Sequence, residues 1–285
     1  MKDSPATESL LRSAQHSAAV ASRLEPEGAR LLVSWAASES ELREAQRLRY
    51  RVFVTEMGAC LSPPAGTPAG LDADYFDAYC DHLLVRAVSH DETIDGRLVG
   101  TYRVLPPSAA LRAGGFYADT EFDLAPLAGL RAQAVELGRA CVDPEWRSGS
   151  VIMALWSALG RYMQAHKLET MIGSASIGLA DGGLSAGRLW QHLRCNHLVE
   201  LRLRVRPYTP LVYGADTVGL AASVRISSPV PVMPPLIKGY LRCGARLLGP
   251  PAFDAAFNTA DLPMMMRLDD LPARHRAHFL RATAS

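Results

Sequence analysis

The sequence predicts a mixed α/β fold, with a central sheet and helices on both of its faces. The predicted elements follow the order strand, helix, hairpin, strand, helix, strand, helix. Alternation of this kind is typical of helices packed against a sheet. The hairpin turn is indicated by Asp95-Gly96, a dipeptide that favours tight turns and here separates two apolar runs.

Local signals define the first strand and helix. An apolar run at 30–35 predicts a short buried strand. Ser38, followed three residues later by Glu41, forms a capping box that starts a helix ending near residues 57–58. Residues 59–79 contain three prolines and form a long loop, which we expect to be one wall of the substrate site.

Apolar periodicity predicts the remaining elements. Pro144 directly after Asp143 favours a helix start at that point. Residues 1–29 are expected to be a flexible extension, with at most a short helix around 9–22, and 30–285 a single domain. Strands are predicted at 81–89, 97–105, 132–142, 170–177 and 261–268, an extended segment at 229–235, and helices at 144–167, 186–198, 236–244 and 271–280.

Composition bounds the class of protein. The 285 residues are 48% hydrophobic and 21% charged, which is ordinary for a soluble globular protein. A net charge of +1 favours no class of partner and gives no reason to expect nucleic acid, so an acidic partner must meet a local basic patch. The five scattered cysteines indicate reduced thiols in a cytoplasmic protein.

Neither a spanning helix nor a secretory signal is expected. No run approaches ~18 apolar residues, and the first twelve residues lack a basic flank followed by an apolar core. If the protein acts on lipids, we expect it to work from the cytoplasmic face of the inner membrane as a peripheral protein.

Five short motifs follow one another in the first half of the chain, at 48–53, 74–77, 80–85, 100–103 and 136–139. They place Arg-x-x-x-Phe on the first helix, Asp-x-x-Asp before the hairpin, an arginine in the third strand and Glu-x-x-Arg in the fourth. This order resembles the acyl-homoserine-lactone synthases, which are GNAT-fold enzymes. Further stretches at 136–142, 238–244 and 257–261 are similar to a sister group, the L-ornithine N-alpha-acyltransferases or ornithine lipid synthases, over roughly residues 31 to 280.

The resemblance implies a GNAT-like, mostly antiparallel central sheet. It also implies transfer of a (3-hydroxy)acyl group from acyl-carrier protein to the α-amino group of L-ornithine, giving lyso-ornithine lipid. No permanently bound cofactor is implied, because the phosphopantetheine-linked acyl donor is itself a substrate. The expected partners are acyl-carrier protein and an amino-acid acceptor.

Glu136 is the candidate general base, acting directly or through a water, and Arg139 is its candidate catalytic companion. Residues three apart in a regular strand point to opposite faces, so a β-bulge is needed to bring both to one side. The resemblance to GNAT folds implies such a bulge here. The alternative is an ion pair of Glu136 with Arg139 or Arg103 that only holds the sheet.

A second constellation is the candidate acceptor site. An arginine can bind the amino-acid carboxylate with its planar fork, and an aspartate can bind the side-chain ammonium. The alternative is a buried arginine–aspartate network that ties the long loop to the first helix. The residues are Arg49, Phe53, Asp74, Asp77 and Arg103.

The donor is expected at a helix N-terminus, where free backbone N–H groups attract a phosphate. The GNAT phosphate loop normally reads Gln/Arg-x-x-Gly-x-Gly/Ala, and the departure from it here suits a carrier-protein donor better than coenzyme A. An ordinary helix cap with an exposed arginine is the alternative. The predicted phosphopantetheine and carrier-protein contacts are Arg147, Ser148, Gly149 and Ser150, with Lys238 and Arg242 on a later helix that also carries Arg246.

Several residues favour structural interpretations. The spacing of Asp72, Asp74 and Asp77 lacks the glycine and glutamate of a calcium loop. His192, Cys195 and His197 are read as a surface helix end rather than a zinc site, so no metal is expected.

Cys141 is expected to be a buried small hydrophobe rather than a nucleophile. His82 is expected to be a structural residue with a satisfied ring. The three methionines at 264–266 are expected in a core strand rather than in an acyl slot.

Other functions stay open. The acceptor could be glycine or another amine, the reaction could be acyl-homoserine-lactone synthesis, or the protein could bind lipid without catalysis. A glycine acceptor needs no acid for a side-chain ammonium, so variants of Asp74 and Asp77 would separate it from ornithine.

Overall fold

The computed structural model describes residues 20–24, 30–88, 96–213 and 232–279. Within these ranges the strands are β1 Val20–Leu24, β2 Arg30–Trp35, β3 Asp81–Val88, β4 Arg97–Leu105, β5 Phe122–Asp123, β6 Ala134–Val142, β7 Thr170–Gly178, β8 Arg206–Pro207, β9 Arg246–Leu247, β10 Ala252–Asp254 and β11 Thr259–Arg267. The helices are α1 Glu39–Tyr50, α2 Pro107–Ala113, α3 Ser150–Ala165, α4 Leu184–Leu193, α5 Pro235–Arg242 and α6 Ala273–Phe279. None of the described helices is both long and apolar enough to cross a bilayer.

The chain divides into two compact units. The first comprises residues within 1–115, 135–168 and 273–285, and the second 116–134 and 169–272. The expectation of one domain over 30–285 stays a prediction.

The sheet of the first unit runs β1-β2-β3-β4-β6, and every neighbouring pair in it is antiparallel. The predicted mixed α/β class with a mostly antiparallel sheet is therefore confirmed. Strand β4 lies inside this sheet and is buried at every position after Arg97. That burial explains why its sequence is a nearly continuous apolar run interrupted by one buried arginine.

Helices cover both faces of this sheet. Helix α1 places Ala45 and Leu48 in a buried cluster with Leu84 of β3. On the opposite face α3 comes so close that a Cβ at Gly100 would lie 2.4 Å from Val151 Cγ1. Glycine at position 100 therefore permits the first turn of α3 to pack directly on β4.

The start of α1 follows the predicted capping box. Ser38 Oγ accepts a hydrogen bond from Glu41 N–H at 3.3 Å, and the Glu41 carboxylate reaches back to Ala37 N–H at 2.8 Å. The helix continues through one π-helical stretch, Arg51–Glu56, and ends at Met57 as predicted.

In the second unit, β7, β11 and β10 form consecutive antiparallel pairs, and β9 also pairs with β11. Met264 and Met265 in β11 are each 5% exposed, which confirms the core-strand interpretation. The core of this unit also includes Leu189, Leu193 and Leu247.

Four expectations differ from the structure. Helix α3 begins at Ser150 rather than 144, because Pro144 starts a separate 3-10 turn capped by Asp143 and Gly149 then reverses the chain at φ 107°. Helix α4 ends at Leu193 because Leu198 forms a bridge with Leu247. Arg246 lies in β9, beyond the end of α5 at Arg242.

The fourth difference concerns the N-terminal extension. Residues 20–24 form an edge strand on β2, where a helix reaching residue 22 was the only structure expected. Residues 9–19, the hairpin turn at 89–95 and residues 229–231 lie outside the described residues.

Candidate active site

The centre of the site is the carboxylate of Asp77, which is occupied on both oxygens. Arg49 donates from Nη1 to Oδ1 at 3.1 Å and from Nη2 to Oδ2 at 2.6 Å. Arg103 Nη1 donates to Oδ1 at 3.1 Å, and Gln46 Nε2 donates to Oδ2 at 2.9 Å. Two bonds on each oxygen leave this carboxylate no simple way to bind a further cation.

A second carboxylate, Asp72, joins this cluster from the long loop. Its Oδ2 lies 3.0 Å from Arg49 Nε and 3.4 Å from Arg139 Nε, and its main-chain oxygen accepts a bond from Arg49 Nη2. Three arginines and three aspartates thus form a charge-balanced network that ties the loop to α1 and the sheet. We call Arg49, Asp72, Asp74, Asp77, Arg103 and Arg139 the ion network.

Neighbouring opposite charges keep Asp77 and Arg49 ionised despite their burial. Burial raises the pKa of Asp77, but the charges of Arg49 and Arg103 outweigh it and hold the pKa well below its usual range. Burial lowers the pKa of Arg49, yet the facing carboxylates of Asp77 and Asp72 raise it above its ordinary value. Asp77 and Arg49 therefore both stay charged at any physiological pH.

Asp74 and Arg139 form the accessible edge of the network. Their side chains are 22% and 13% exposed, whereas those of Arg49, Asp77 and Arg103 are at most 5% exposed. Asp74 Oδ2 accepts from Arg103 at 2.6 Å and Arg139 at 3.0 Å. A ligand entering from solvent would meet this edge first.

The edge is positioned by a short turn. Asp74 is the N-cap of the 3-10 turn Tyr75–Tyr79, and its Oδ1 accepts from Phe76 N–H at 2.8 Å. Asp77 lies on the same turn, so one local structure sets both carboxylates.

A β-bulge in β6 delivers Arg139 to this edge. Thr101 pairs with Cys141 and Arg103 with Gly138, so two residues of β6 lie opposite Tyr102 alone. Arg139 has φ 51°, a left-handed conformation that is uncommon for a side chain other than glycine. The predicted bulge is confirmed, and it turns Arg139 toward the face that carries Arg103.

Glu136 lies on the same face of β6. It is 5% exposed, and Gly138 two residues later is the strand partner of Arg103. Residues two apart in a strand share a face, so Glu136 stands beside Arg103. The Glu136 charge also acts on the buried thiol of Cys80, whose pKa is raised chiefly by burial.

The predicted phosphate loop is ordered at the start of α3. Gly149 is the N-cap and provides no side-chain bond to the first turn, which leaves the backbone N–H groups there to other partners. Arg147 is engaged by Glu56, with Nη1–Oε1 and Nη2–Oε2 distances of 2.6 and 2.7 Å. Ser148 and Ser150 join their hydroxyls at 3.1 Å.

Phe53, Lys238 and Arg242 are the remaining predicted contacts. Phe53 is half-buried and packs against the apolar cluster that contains Ala45 and Leu48 of α1. Lys238 and Arg242 are exposed on α5 in the second unit. His192 and Cys195 are exposed at the end of α4, and His197 is half-buried beyond it.

Cys141 is unsuited to nucleophilic attack. Burial raises the pKa of its thiol to about 12, so the reactive thiolate is scarce at neutral pH. Its strand partner is Thr101, and its Sγ lies 3.8 Å from the main-chain oxygen of Leu48. The expected burial of this cysteine in a strand is confirmed.

Sequence reasoning missed two members of the site. Gln46 lies one helical turn before Arg49, and this spacing places both on the buried face of α1. Asp72 was weighed only as a calcium ligand, although its position five residues before Asp77 could have suggested a second partner for an arginine. A glutamine on the apolar face of an amphipathic helix is the sequence signal that would have identified Gln46.

Comparisons with known proteins agree with this architecture. The family model described as an acetyltransferase (GNAT) domain matches residues 48–157, which include the C-terminal end of α1, the ion network and the first turns of α3. With the antiparallel sheet, the bulge and the phosphate-loop position, this match defines the chain as an acyltransferase of the GNAT class.

Similar proteins identify the family within this class. The L-ornithine N(alpha)-acyltransferase of Rhodobacter capsulatus is 39% identical over 246 residues, covering 85% of this chain and 91% of the relative. The protein of the same name from Agrobacterium fabrum is 35% identical, covering 86% and 83%. The chain belongs to the L-ornithine N(alpha)-acyltransferase family.

Solved structures are more distant. The acyl-homoserine-lactone synthase LasI has a TM-score of 0.48 and 15% identity, covering 88% of this chain and 95% of its own. FeeM, an N-acyl amino acid synthase from uncultured soil microbes, has a TM-score of 0.48 and 11% identity, covering 84% and 91%.

Proposed function

We propose that the protein transfers a (3-hydroxy)acyl group from acyl-carrier protein to the α-amino group of L-ornithine, giving lyso-ornithine lipid. The names of its relatives support ornithine as the acceptor. The observation that carries the proposal is the accessible Asp74–Arg139 edge, which offers one carboxylate and one guanidinium beside the buried Glu136. Ornithine has the matching groups, a carboxylate and a side-chain ammonium.

In this proposal the acceptor binds at that edge. Arg139, supported by Arg103, receives the ornithine carboxylate, and Asp74 receives the side-chain ammonium. Arg49 and Asp77, which are paired with each other inside the network, hold these groups in place. Phe53 packs against the apolar cluster that contains Leu48 of α1.

The reaction is a direct displacement. The amine nitrogen attacks the thioester carbonyl carbon, so that a C–N bond forms and the C–S bond breaks. Glu136 takes a proton from the attacking nitrogen, directly or through a water, and this proton passes to the leaving thiolate. No covalent acyl-enzyme is needed, in keeping with the inert Cys141.

The donor phosphate is assigned to the first turn of α3. Backbone N–H groups of Ser148, Gly149 and Ser150 would receive the phosphopantetheine phosphate. Arg147 would exchange Glu56 for that phosphate, since both groups of this ion pair are well exposed. Lys238 and Arg242 would contact the acidic surface of the carrier protein.

The proposed product has one acyl chain on a polar head, so a peripheral contact with the cytoplasmic face of the inner membrane is part of the same proposal. Release of the product into a bilayer would then need no soluble lipid carrier.

Mass spectrometry of lipids tests the reaction. A host that lacks ornithine lipids would express the native chain, Glu136→Gln, or Glu169→Gln as a control at an exposed glutamate. We expect a 3-hydroxyacyl-ornithine species with the native chain and the control, and a loss of about 100-fold or more with Glu136→Gln. An acylated glycine or other amine would overturn the acceptor, and an undiminished signal from Glu136→Gln would overturn the base.

The donor is tested with purified protein. Acyl-carrier protein and acyl-coenzyme A of the same chain length would be compared at equal concentration, with Ser150→Ala and Lys238→Ala as variants. We expect a strong preference for the carrier protein, reduced by Lys238→Ala. Equal use of both donors would overturn the donor assignment.

A further inference from the structure

A buried histidine lies directly beneath the ion network. His82 in β3 is 3% exposed and is the strand partner of Arg103 in β4. Residues directly opposite each other in an antiparallel pair project to the same face, with Cβ atoms about 4.5–5.5 Å apart. The imidazole therefore stands on the face that carries the network.

One ring nitrogen has a defined partner. His82 Nε2 lies 3.0 Å from the main-chain oxygen of Asp77. A carbonyl oxygen only accepts, so Nε2 must carry the hydrogen and donate it. Nδ1 is buried and has no hydrogen-bond partner among the described residues, so the ring is only half satisfied, contrary to the expectation from sequence.

Burial also fixes the charge of this ring. It lowers the pKa of His82, and the opposing charges of Asp77 and Arg49 leave that direction unchanged. The ring is thus neutral at physiological pH, with a single N–H. That hydrogen is committed to Asp77.

The bond from His82 acts on the turn that carries both carboxylates. Asp77 and the N-cap Asp74 belong to the turn Tyr75–Tyr79. Holding the main chain of Asp77 fixes where its carboxylate meets Arg103, and Arg103 Nη1 in turn contacts Asp74 at 2.6 Å. His82 thereby connects to Asp74 of the accessible edge through two intervening residues, Asp77 and Arg103.

We propose that His82 is a positioning residue for the acceptor, whose single N–H sets the Asp74–Arg139 edge in the geometry that receives the amino acid. The inference rests on the acceptor site proposed above. A buried Nδ1 without a hydrogen-bond partner costs free energy, and leucine at this position would avoid that cost. We therefore assign the hydrogen bond from Nε2 to Asp77 as the reason for histidine at position 82.

Three variants test the assignment. Glutamine can place an amide N–H near the position of Nε2, asparagine is too short to do so, and leucine has no donor. We expect His82→Gln to keep the KM for ornithine within about threefold, and His82→Asn and His82→Leu to raise it about tenfold, the loss of one ordinary hydrogen bond. The KM for the acyl donor should change by less than twofold in all three.

Thr101→Val is the matched structural control. Thr101 Oγ1 donates to the main-chain oxygen of Leu83 at 2.8 Å, another buried bond from a side chain to β3. We expect this variant to lower the melting temperature without raising the KM for ornithine. If His82→Leu and His82→Asn behave as Thr101→Val does, losing stability alone, the positioning role is overturned.

A measurement independent of turnover separates this inference from the proposed function. Nitrogen-15 spectra of the native protein should give His82 as the neutral Nε2–H tautomer at pH 7, and a charged or Nδ1–H ring would overturn the assignment. If the protein acylates an amine other than ornithine, the proposed acceptor fails, and the same variants measured with that amine test the positioning role. Unchanged KM for that amine in His82→Leu would then overturn it.

Discussion

Two arginine–carboxylate systems in the first unit differ in burial, and the difference separates framework from exchangeable contacts. In the ion network, Arg49 and Asp77 are 1% and 5% exposed. In the pair at the phosphate loop, Arg147 and Glu56 are 43% and 38% exposed, at similar N–O distances. Distance alone therefore does not distinguish the two.

Burial changes what each system can do. Removing one charge from a buried network leaves its partners desolvated and unpaired, whereas an exposed pair can give up its partner to water or to a ligand. The arginine that would meet a donor phosphate is thus in an exchangeable pair, and the arginines that would orient the acceptor are fixed. The edge formed by Asp74 and Arg139 is intermediate between these two cases.

The largest effect is expected at the centre of the network. Asp77→Asn keeps the shape but leaves three arginines facing two carboxylates, which should lower the free energy of unfolding by about 3–5 kcal/mol. Urea unfolding would measure it, with Asp269→Asn at an exposed position as the control. A loss of less than about 1 kcal/mol would mean that the network is screened like a surface pair. The contrast between the buried network and the exposed Arg147–Glu56 pair would then not hold.

The next effect concerns the packing that positions the phosphate loop. Gly100→Ala would place a Cβ 2.4 Å from Val151 Cγ1, so either α3 or β4 must shift. We expect a loss of about 1–3 kcal/mol in unfolding free energy and a raised KM for the acyl donor. Gly178→Ala, a strand glycine with nothing within 4 Å of the added Cβ, is the control. Equal stability of the two variants would contradict the packing argument.

The fold was more predictable from sequence than the site. Strand β2, the capping box and the helix end near Met57 depend on local patterns of polarity, which sequence displays directly. The start of α3 was placed six residues too early because Pro144 is a favourable first residue for either an α-helix or a short 3-10 turn. Only the reversal at Gly149 decides between them, and glycine by itself does not reveal its φ angle.

The site needed tertiary information. The motif residues Arg49, Asp74, Asp77 and Arg103 could be recognised from their order. Their pairing could not, because the contacts of the network join residues as far apart in sequence as Asp72 and Arg139. Burial, which divides them into framework and edge, depends on what packs above them. The half-satisfied ring of His82 likewise follows from the lack of a hydrogen-bond partner for Nδ1 among the described residues, which no sequence pattern specifies.

A smaller effect is expected at the exposed pair. Glu56→Gln and Arg147→Gln should each change the unfolding free energy by about 0–1 kcal/mol. Their effects on the donor should be opposite, because Glu56→Gln releases Arg147 for the phosphate and lowers the KM for acyl-carrier protein, while Arg147→Gln raises it. Steady-state kinetics at low and high salt would measure both. A shift of the two KM values in the same direction would show that the pair acts as a unit and is not exchangeable.

The smallest effect is a pH dependence that sharpens the contrast within the buried region. The folded-state pKa of His82 is lowered from its ordinary 6.5, so as the pH falls below about 6.5 the unfolded chain takes up a proton before the folded one does. Stability should therefore decline between pH 7 and 5, whereas Asp74 and Asp77, whose pKa values are lowered from 3.8, contribute such a decline only in stronger acid. His82→Gln removes the titrating imidazole. His197, whose pKa is also lowered by burial, is present in both the native chain and the variant, so its contribution cancels when their declines in stability are compared. Urea unfolding at pH 7 and pH 5 should give a smaller decline for His82→Gln than for the native chain, and equal declines would mean that the imidazole accepts a proton as easily when folded as when unfolded.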